Sequence, residues 1–279
     1  MMTHFRSVTS FFFCCLVALS SSASAQQAKV LADVAYGEGV NRKMDVYLAE
    51  GRNRSTPLVV LIHGGGWMSG DKQDADFMKE RMVKNQINVI NMNYRLGNDV
   101  IHYTDMMSDI HEALRFVRAH ASAWNVRKNH YLLWGGSAGG HLALLYAYRY
   151  DKENVVSAVI TLGAPVKLNQ VDHFQKAALG LLPIVAGKAW NGDSTDVAFT
   201  QASPYYSARF KPTLMAHGEA DSIVSIRQSA LLAGVLKKNG VAYQFISLPH
   251  GAHGGEGASQ EMIDRLNDEM IAWIKKYTR

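Results

Sequence analysis

Seven short runs of mostly apolar residues recur along the chain, and between them the apolar residues change to a spacing of three and four. The runs are Met44 to Leu48, Leu58 to Ile62, Ile87 to Asn93, His130 to Trp134, Val155 to Leu162, Thr213 to His217 and Ala242 to Leu248. Several, such as Leu58-Val59-Val60-Leu61-Ile62, are continuously apolar, as expected of strands covered on both faces. The intervening segments carry helical patterns: Met106, Ile110, Ala113 and Val117; Leu231, Leu232, Val235 and Leu236; and Ile263, Leu266, Met270, Trp273 and Ile274. This alternation predicts an α/β fold with a mostly parallel central sheet and helices on both faces, in which ligands bind at the carboxyl ends of the strands.

The chemically suggestive residues follow those strand ends. The run Tyr131 to Trp134 breaks into Gly135-Gly136-Ser137-Ala138-Gly139-Gly140 and then into the helix-forming Leu142 to Tyr146. A serine on a strand-to-helix turn, flanked by glycines that permit a sharp bend, has the context of an exposed nucleophile. Leu58 to Ile62 leads into His63-Gly64-Gly65-Gly66-Trp67, where missing side chains let a carbonyl approach the amides of Gly65 and Gly66. With the amide of Ala138, these are the expected oxyanion hole. His63 itself reads as a structural ring holding the loop. Thr213 to His217 ends in Gly218-Glu219-Ala220-Asp221, which places an acid past a strand end, Asp221 first and Glu219 as the alternative. The last run leads into Pro249-His250-Gly251-Ala252-His253-Gly254-Gly255, and His253, deeper in the loop than His250, is the expected base. The order Ser137, Asp221, His253 is that of the α/β-hydrolases and differs from the chymotrypsin and subtilisin orders.

At 279 residues and 48% hydrophobic, the chain reads as one large domain, residues 26–279, behind an N-terminal segment that does not belong to its core. In residues 1–25, Arg6 precedes an apolar stretch from Val8 to Leu19, and Ala23-Ser24-Ala25 precedes Gln26. That is the pattern of a cleavable secretory signal, and the stretch falls short of the roughly 20 apolar residues a membrane span needs. The expectations are export to the periplasm or medium and no stable membrane anchor after cleavage. Both cysteines, Cys14 and Cys15, lie in this segment, so the mature chain needs neither disulfide nor thiol chemistry. The net charge of +5 comes from dispersed Lys and Arg, a pattern of solvated surface that gives no reason to expect a nucleic-acid partner. The histidines are scattered without H-E-x-x-H spacing, so neither metal nor cofactor is expected.

Taken together, the HGGGW loop, the GGSAGG turn, Asn93-Tyr94-Arg95-Leu96, Ser203-Pro204 and HGEAD resemble the α/β-hydrolase esterases and lipases whose oxyanion loop reads HGGG. The resemblance runs from about Val30 to Tyr277. It implies Ser137 as nucleophile, His253 as base, Asp221 as orienting acid, and Gly65, Gly66 and Ala138 as oxyanion donors. Two departures narrow it. Hormone-sensitive-lipase-like members carry an Asp before the nucleophile, where this chain has Gly136, and an N-terminal helical cap, for which the chain leaves little room. It is therefore closer to the small feruloyl and acetyl esterases, or to kynurenine formamidases. The implied activity is hydrolysis of short-acyl or aryl carboxylic esters, with a small-molecule ester as partner. An arylformamidase or small-amide hydrolase is the alternative, and a binding protein that has lost catalysis a third. The insertion between Pro165 and Ser203, after the sixth strand of the fold, is expected to shape specificity. Its apolar segment 177–186 reads either as a small lid lining a pocket or as a helix packed on the core. Trp67, next to the oxyanion loop, is the candidate substrate-binding side chain; both it and Trp190 read as substrate wall or as core.

Overall fold

The computed structural model of the protein describes residue 1 and residues 26–278; the expected signal segment, apart from Met1, lies outside the described residues. Eight strands form one sheet: β1 (Lys29–Ala35), β2 (Lys43–Leu48), β3 (Leu58–Ile62), β4 (Asn88–Met92), β5 (Tyr131–Gly136), β6 (Val156–Leu162), β7 (Thr213–Gly218) and β8 (Tyr243–Leu248). Their spatial order is β1-β2-β4-β3-β5-β6-β7-β8. The pairs β1–β2 and β2–β4 are antiparallel and the remainder parallel. The principal helices are α1 (Asp76–Lys84), α2 (Tyr103–Trp124), α3 (Ser137–Leu145), α4 (Lys176–Leu179), α5 (Leu182–Ala186), α6 (Val197–Gln201), α7 (Arg227–Lys238) and α8 (Gln260–Tyr277).

The continuous apolar runs have a direct structural cause. All five residues of β3 are buried, but they serve two cores. Leu58, Val60 and Ile62 join the cluster containing Ile110, Val117, Leu142 and Leu232 of α2, α3 and α7. Val59 and Leu61 join the opposite one, with Met82 of α1 and Leu266, Met270 and Ile274 of α8. Alternate side chains of a strand point to opposite faces, so a strand sandwiched between helices must be apolar at every position.

The first strand was not among the seven runs. It is an edge strand with five of its seven residues exposed. Its register shifts between Leu31 and Val34, and Asp33 between them has φ 53°. A bulged, exposed edge carries no sustained alternation, which explains its weak sequence signal.

The insertion after β6 holds α4, α5 and α6, and the apolar segment 177–186 is divided between α4 and α5 rather than being one helix. Its two roles coexist: Leu182 and Val185 enter the core, while Ala178 and Leu181 line a cavity. The insertion is fastened to the segment following β7 by a bridge between Phe174 and Val224. The amide of Gln175 bonds the Ile223 carbonyl at 2.9 Å, and that of Ser225 bonds the His173 carbonyl at 2.8 Å. The parallel strands β3, β5, β6, β7 and β8 lie side by side, so the loops after them open on one edge of the sheet.

Candidate active site

Ser137 stands where β5 ends and α3 begins, with φ 51°. A left-handed backbone is unfavourable for a residue with a Cβ, and it persists here because the surrounding chain leaves no room to relax. The crowding is specific. A Cβ on Gly135 would lie 2.3 Å from the Gly139 carbonyl carbon, and one on Gly139 would lie 2.1 Å from the Ile62 carbonyl oxygen at the end of β3. The two glycines thus let the turn close on itself and let α3 rest against the backbone that enters the HGGG loop. Gly139→Ala tests this directly. Alanine would favour the helix by about 1 kcal/mol, but the clash involves backbone atoms that cannot rotate away. We expect a net destabilisation of about 2 kcal/mol and a Tm lowered by roughly 4–8 °C; an unchanged Tm in a thermal melt would refute the packing argument.

Ser137 Oγ lies 2.7 Å from Nε2 of His253, and His253 Nδ1 lies 2.7 Å from Oδ2 of Asp221. Oδ2 accepts the Nδ1 hydrogen, which leaves Nε2 as the acceptor for the serine hydroxyl. The loops carrying the acid and the histidine are sewn together by the Glu219 amide on the Leu248 carbonyl (3.0 Å) and the Ala220 amide on the Gly251 carbonyl (2.9 Å). His250 and Glu219, the alternatives, are exposed and outside this series.

Asp221 is the most strongly held charge at the site. Its side chain has no exposure, and burial alone would push its carboxyl upward. Hydrogen bonds from His217 and His253 and from the Val224 amide outweigh that, and hold it well below the usual carboxylate range. The Ile223 and Val224 amides both bond Oδ1 at 2.9 Å.

The glycine loop after β3 abuts the serine: a Cβ on Gly64 would lie 3.4 Å from Ser137 Cβ. Gly65, at φ 98°, accepts the amides of Met68 (3.2 Å) and Ser69 (3.0 Å). No turn or loop bond among the described residues engages the amides of Gly65 or Gly66. Ala138, buried in the first turn of α3, has an amide without an acceptor inside the helix. Tyr94 supports the loop from below. Its hydroxyl donates to the carbonyls of His63 (3.1 Å) and Gly64 (3.3 Å), and its ring stacks on His63 at 4.3 Å. His63 Nδ1 donates to the Gly64 carbonyl at 2.8 Å. In the sequence Tyr94 stands within Asn93-Tyr94-Arg95-Leu96, where no local pattern marks this supporting role.

Trp67 borders the cavity beside Ser137, yet its side chain is buried and its Nε1 donates to Nδ1 of His141 at 3.1 Å. His141 Nε2 in turn donates to the Ala202 carbonyl at 2.7 Å. The indole therefore joins the glycine loop after β3 to α3 and to the end of the insertion. Trp190 packs edge-on against Phe199 at 4.8 Å within the insertion and does not line that cavity.

Ser137 and His253 are shared by two hollows. One, of 590 Å³, is apolar, with Met68, Phe174, Leu181, Ile223 and Val224 in its walls alongside Gly65 and Gly66. The other, of 240 Å³, is bounded by His63, Asp74, Phe77, Trp134 and Glu256. The arrangement is a hydroxyl on a ring nitrogen and the ring on a carboxylate, with two hollows meeting at the hydroxyl and the Gly65 and Gly66 backbone in the wall of one of them.

Sheet order, strand-end loops and elbow define the α/β-hydrolase fold. The BD-FAE family matches residues 44–236, and the chain belongs to that family. Among known proteins, it is 28% identical over 229 residues to a probable isoprenylcysteine alpha-carbonyl methylesterase of Oryza sativa subsp. japonica, covering 76% of this chain and 55% of that protein. It is 31% identical over 118 residues to a kynurenine formamidase of Salmo salar, covering 42% and 38%. The chain thus spans about half or less of the length of these relatives. Among solved structures, a truncated carbohydrate esterase from gut microbiota superposes with a TM-score of 0.73 at 20% identity, over 91% of this chain and 99% of that one.

Proposed function

We propose that the protein is a serine carboxylic-ester hydrolase in which Ser137 attacks the ester carbonyl, His253 takes its proton, and Asp221 orients and stabilises the resulting imidazolium. The observation that carries this reading is the unbroken series of 2.7 Å hydrogen bonds from Ser137 through His253 to Asp221. The tetrahedral oxyanion would rest on the amides of Gly65, Gly66 and Ala138. His253 then returns the proton to the leaving alcohol, and water repeats the cycle on the acyl-enzyme. The similarity to a methylesterase is consistent with it.

For the substrate, we favour short-acyl or aryl esters. The 590 Å³ hollow is apolar and has the size of a small-molecule pocket, and its walls come from the insertion and the acid loop. The similarity to a kynurenine formamidase keeps a second reading, hydrolysis of an aryl formamide, in view. Both proceed by acyl transfer through Ser137 and differ in the acyl group, a formyl in the formamide, and in the leaving group, an amine in place of an alcohol.

A fluorophosphonate probe tests the nucleophile: it should label the folded wild type and fail to label Ser137→Ala. Absence of labelling in the folded wild type would end the enzyme reading. A rate profile over p-nitrophenyl esters of increasing chain length, with feruloyl and acetyl-sugar esters and an aryl formamide alongside, then tests the substrate. The expected maximum is at short acyl or aryl groups, and a maximum at long chains would overturn that part.

A further inference from the structure

His217 is the last side chain before the glycine that ends β7, and it is completely buried. An apolar residue would satisfy that position in a strand packed on both faces. Instead there is an imidazole with every polar atom engaged. Nε2 lies 2.8 Å from the Val224 carbonyl and 3.1 Å from Asp221 Oδ2. Both neighbours are acceptors only, so Nε2 carries the hydrogen and shares it between them. Nδ1 lies 2.8 Å from Ser229 Oγ on α7, a hydroxyl that can donate to the ring nitrogen or accept from it.

The consequence falls on Asp221. Its Oδ1 is taken by the amides of Ile223 and Val224, and its Oδ2 is divided between His253 and His217. We propose that His217 is a positioning residue for the reaction: its Nε2 hydrogen, on a ring held in place by the contacts to Val224 and Ser229, fixes Asp221 Oδ2 against His253 and keeps the mobile proton on His253 rather than on the acid. This rests on the reading of Ser137, His253 and Asp221 as the reacting series. Two physical effects follow. The carboxylate is locked by four donors in one orientation, so the imidazole it holds stays aligned with Ser137. Part of the negative charge on Oδ2 is also drawn toward His217, which moderates how strongly the acid holds a proton on His253.

His217 differs from a residue that only fills space, because its removal alters the titration of the site as well as its geometry. His253 and His217 are the titratable groups in contact with Asp221; α7 presents Ser229 to His217. His253 itself faces Ser137 and Asp221, with Asp74, His63 and Glu256 around the adjoining hollow. None of these changes when His217 is replaced.

The test compares His217→Leu, which removes the donor, with His217→Gln, whose amide retains one, and with Ser229→Ala, which removes the contact that holds the ring at Nδ1. Hydrolysis of p-nitrophenyl acetate is followed as kcat and KM from pH 5 to 9, and the downfield proton resonance of His253 Nδ1 is recorded without substrate. For His217→Leu we expect kcat to fall about 30-fold with KM within about twofold, as for loss of a group that acts only in the transition state. The acid limb of the profile should move up by about half a pH unit as Asp221 turns its full charge on His253. The Nδ1 proton resonance should shift too. His217→Gln should recover most of kcat and return the acid limb to its wild-type position, and Ser229→Ala should show a smaller shift of the same sign. An unmoved acid limb and resonance in folded His217→Leu, or a glutamine variant no better than leucine, would overturn the proposal. If His217→Leu does not fold, His217→Phe, which also lacks the donor, takes its place with the same expected and overturning results. Wild-type protein that neither hydrolyses the ester nor labels at Ser137 would instead sink the underlying reading.

Discussion

Ser137→Ala and His253→Ala should each lower kcat for p-nitrophenyl acetate by about 10⁵- to 10⁶-fold, and the double variant should be no slower than either single one. The reason is geometric. Ser137 Oγ and His253 Nε2 are 2.7 Å apart, and in the proposed mechanism they share one proton-transfer event. Without the imidazole, the hydroxyl meets the ester with nothing to take its proton; without the hydroxyl, the imidazole has nothing to deprotonate. Each deletion therefore removes the same step, and the second deletion finds it already gone. Activity remaining above the uncatalysed rate would come from the amides beside Ser137, at roughly 10³- to 10⁴-fold. Asp221→Asn belongs to the same unit. Losing the carboxylate removes the acceptor at 2.7 Å that selects the Nδ1–H tautomer, and a loss of about 10⁴-fold is expected. The measurement is steady-state hydrolysis with active-site titration, so that traces of wild-type enzyme are not counted. Losses that multiply in the double variant would show that the two residues act in separate steps, and the series would lose its mechanistic meaning.

How far such a site can be read from a chain depends on whether each residue's signal is local. The buried strands were legible because a strand covered on both faces must be apolar throughout, and Leu58 to Ile62 meets that demand without interruption. The strand-end loops were legible because glycines mark where the backbone must come close. The edge strand β1 was not, since exposure removes the pressure for a pattern. His217 shows the deeper difficulty. In sequence it is one polar residue at the end of an apolar strand, beside an acid that draws the attention. Its partners Asp221, Val224 and Ser229 lie within twelve residues, but only the fold of the intervening loop turns Nε2 toward two of them and Nδ1 toward the third. Tyr94 is similar: its hydroxyl reaches carbonyls about thirty positions away because β4 is paired with β3. The insertion was half legible. Its apolar character announced burial, but not that Leu181 would sit against Gly66 while its neighbour Leu182 enters the core. Contacts of that kind are set by tertiary packing, which period and composition do not encode.

Stability should fall by about 3 kcal/mol through His141 alone as the pH drops from 6.5 to 4. His141 has no exposure, and burial pushes its imidazole down from 6.5 to about 4, with the bond to the Ala202 carbonyl only partly opposing. The folded protein therefore keeps this ring neutral throughout the window, while the unfolded chain takes up a proton below 6.5. Since the unfolded state binds more protons, stability rises with pH: the contribution is complete above 6.5, declines as the pH falls, and is gone below about 4. The local structure explains why the ring resists charging. Nδ1 is occupied as the acceptor of Trp67 Nε1, so a proton placed there would break the bond that ties the glycine loop after β3 to α3. His63 and His173 are also lowered, by burial first, and add to the slope with the same sign. Their presence makes the comparison with a variant essential. Urea unfolding measured at intervals from pH 4 to 8 should show the wild type losing stability more steeply than His141→Gln, by up to one proton, or about 1.4 kcal/mol per pH unit at the steepest point. The glutamine variant should be less stable at pH 8, where the neutral histidine makes both its bonds, and the two curves should converge toward pH 4. Parallel curves would mean that His141 accepts a proton in the folded state as readily as in the unfolded one. The bridge from Trp67 through His141 to Ala202 would then have to tolerate a charge that its geometry excludes.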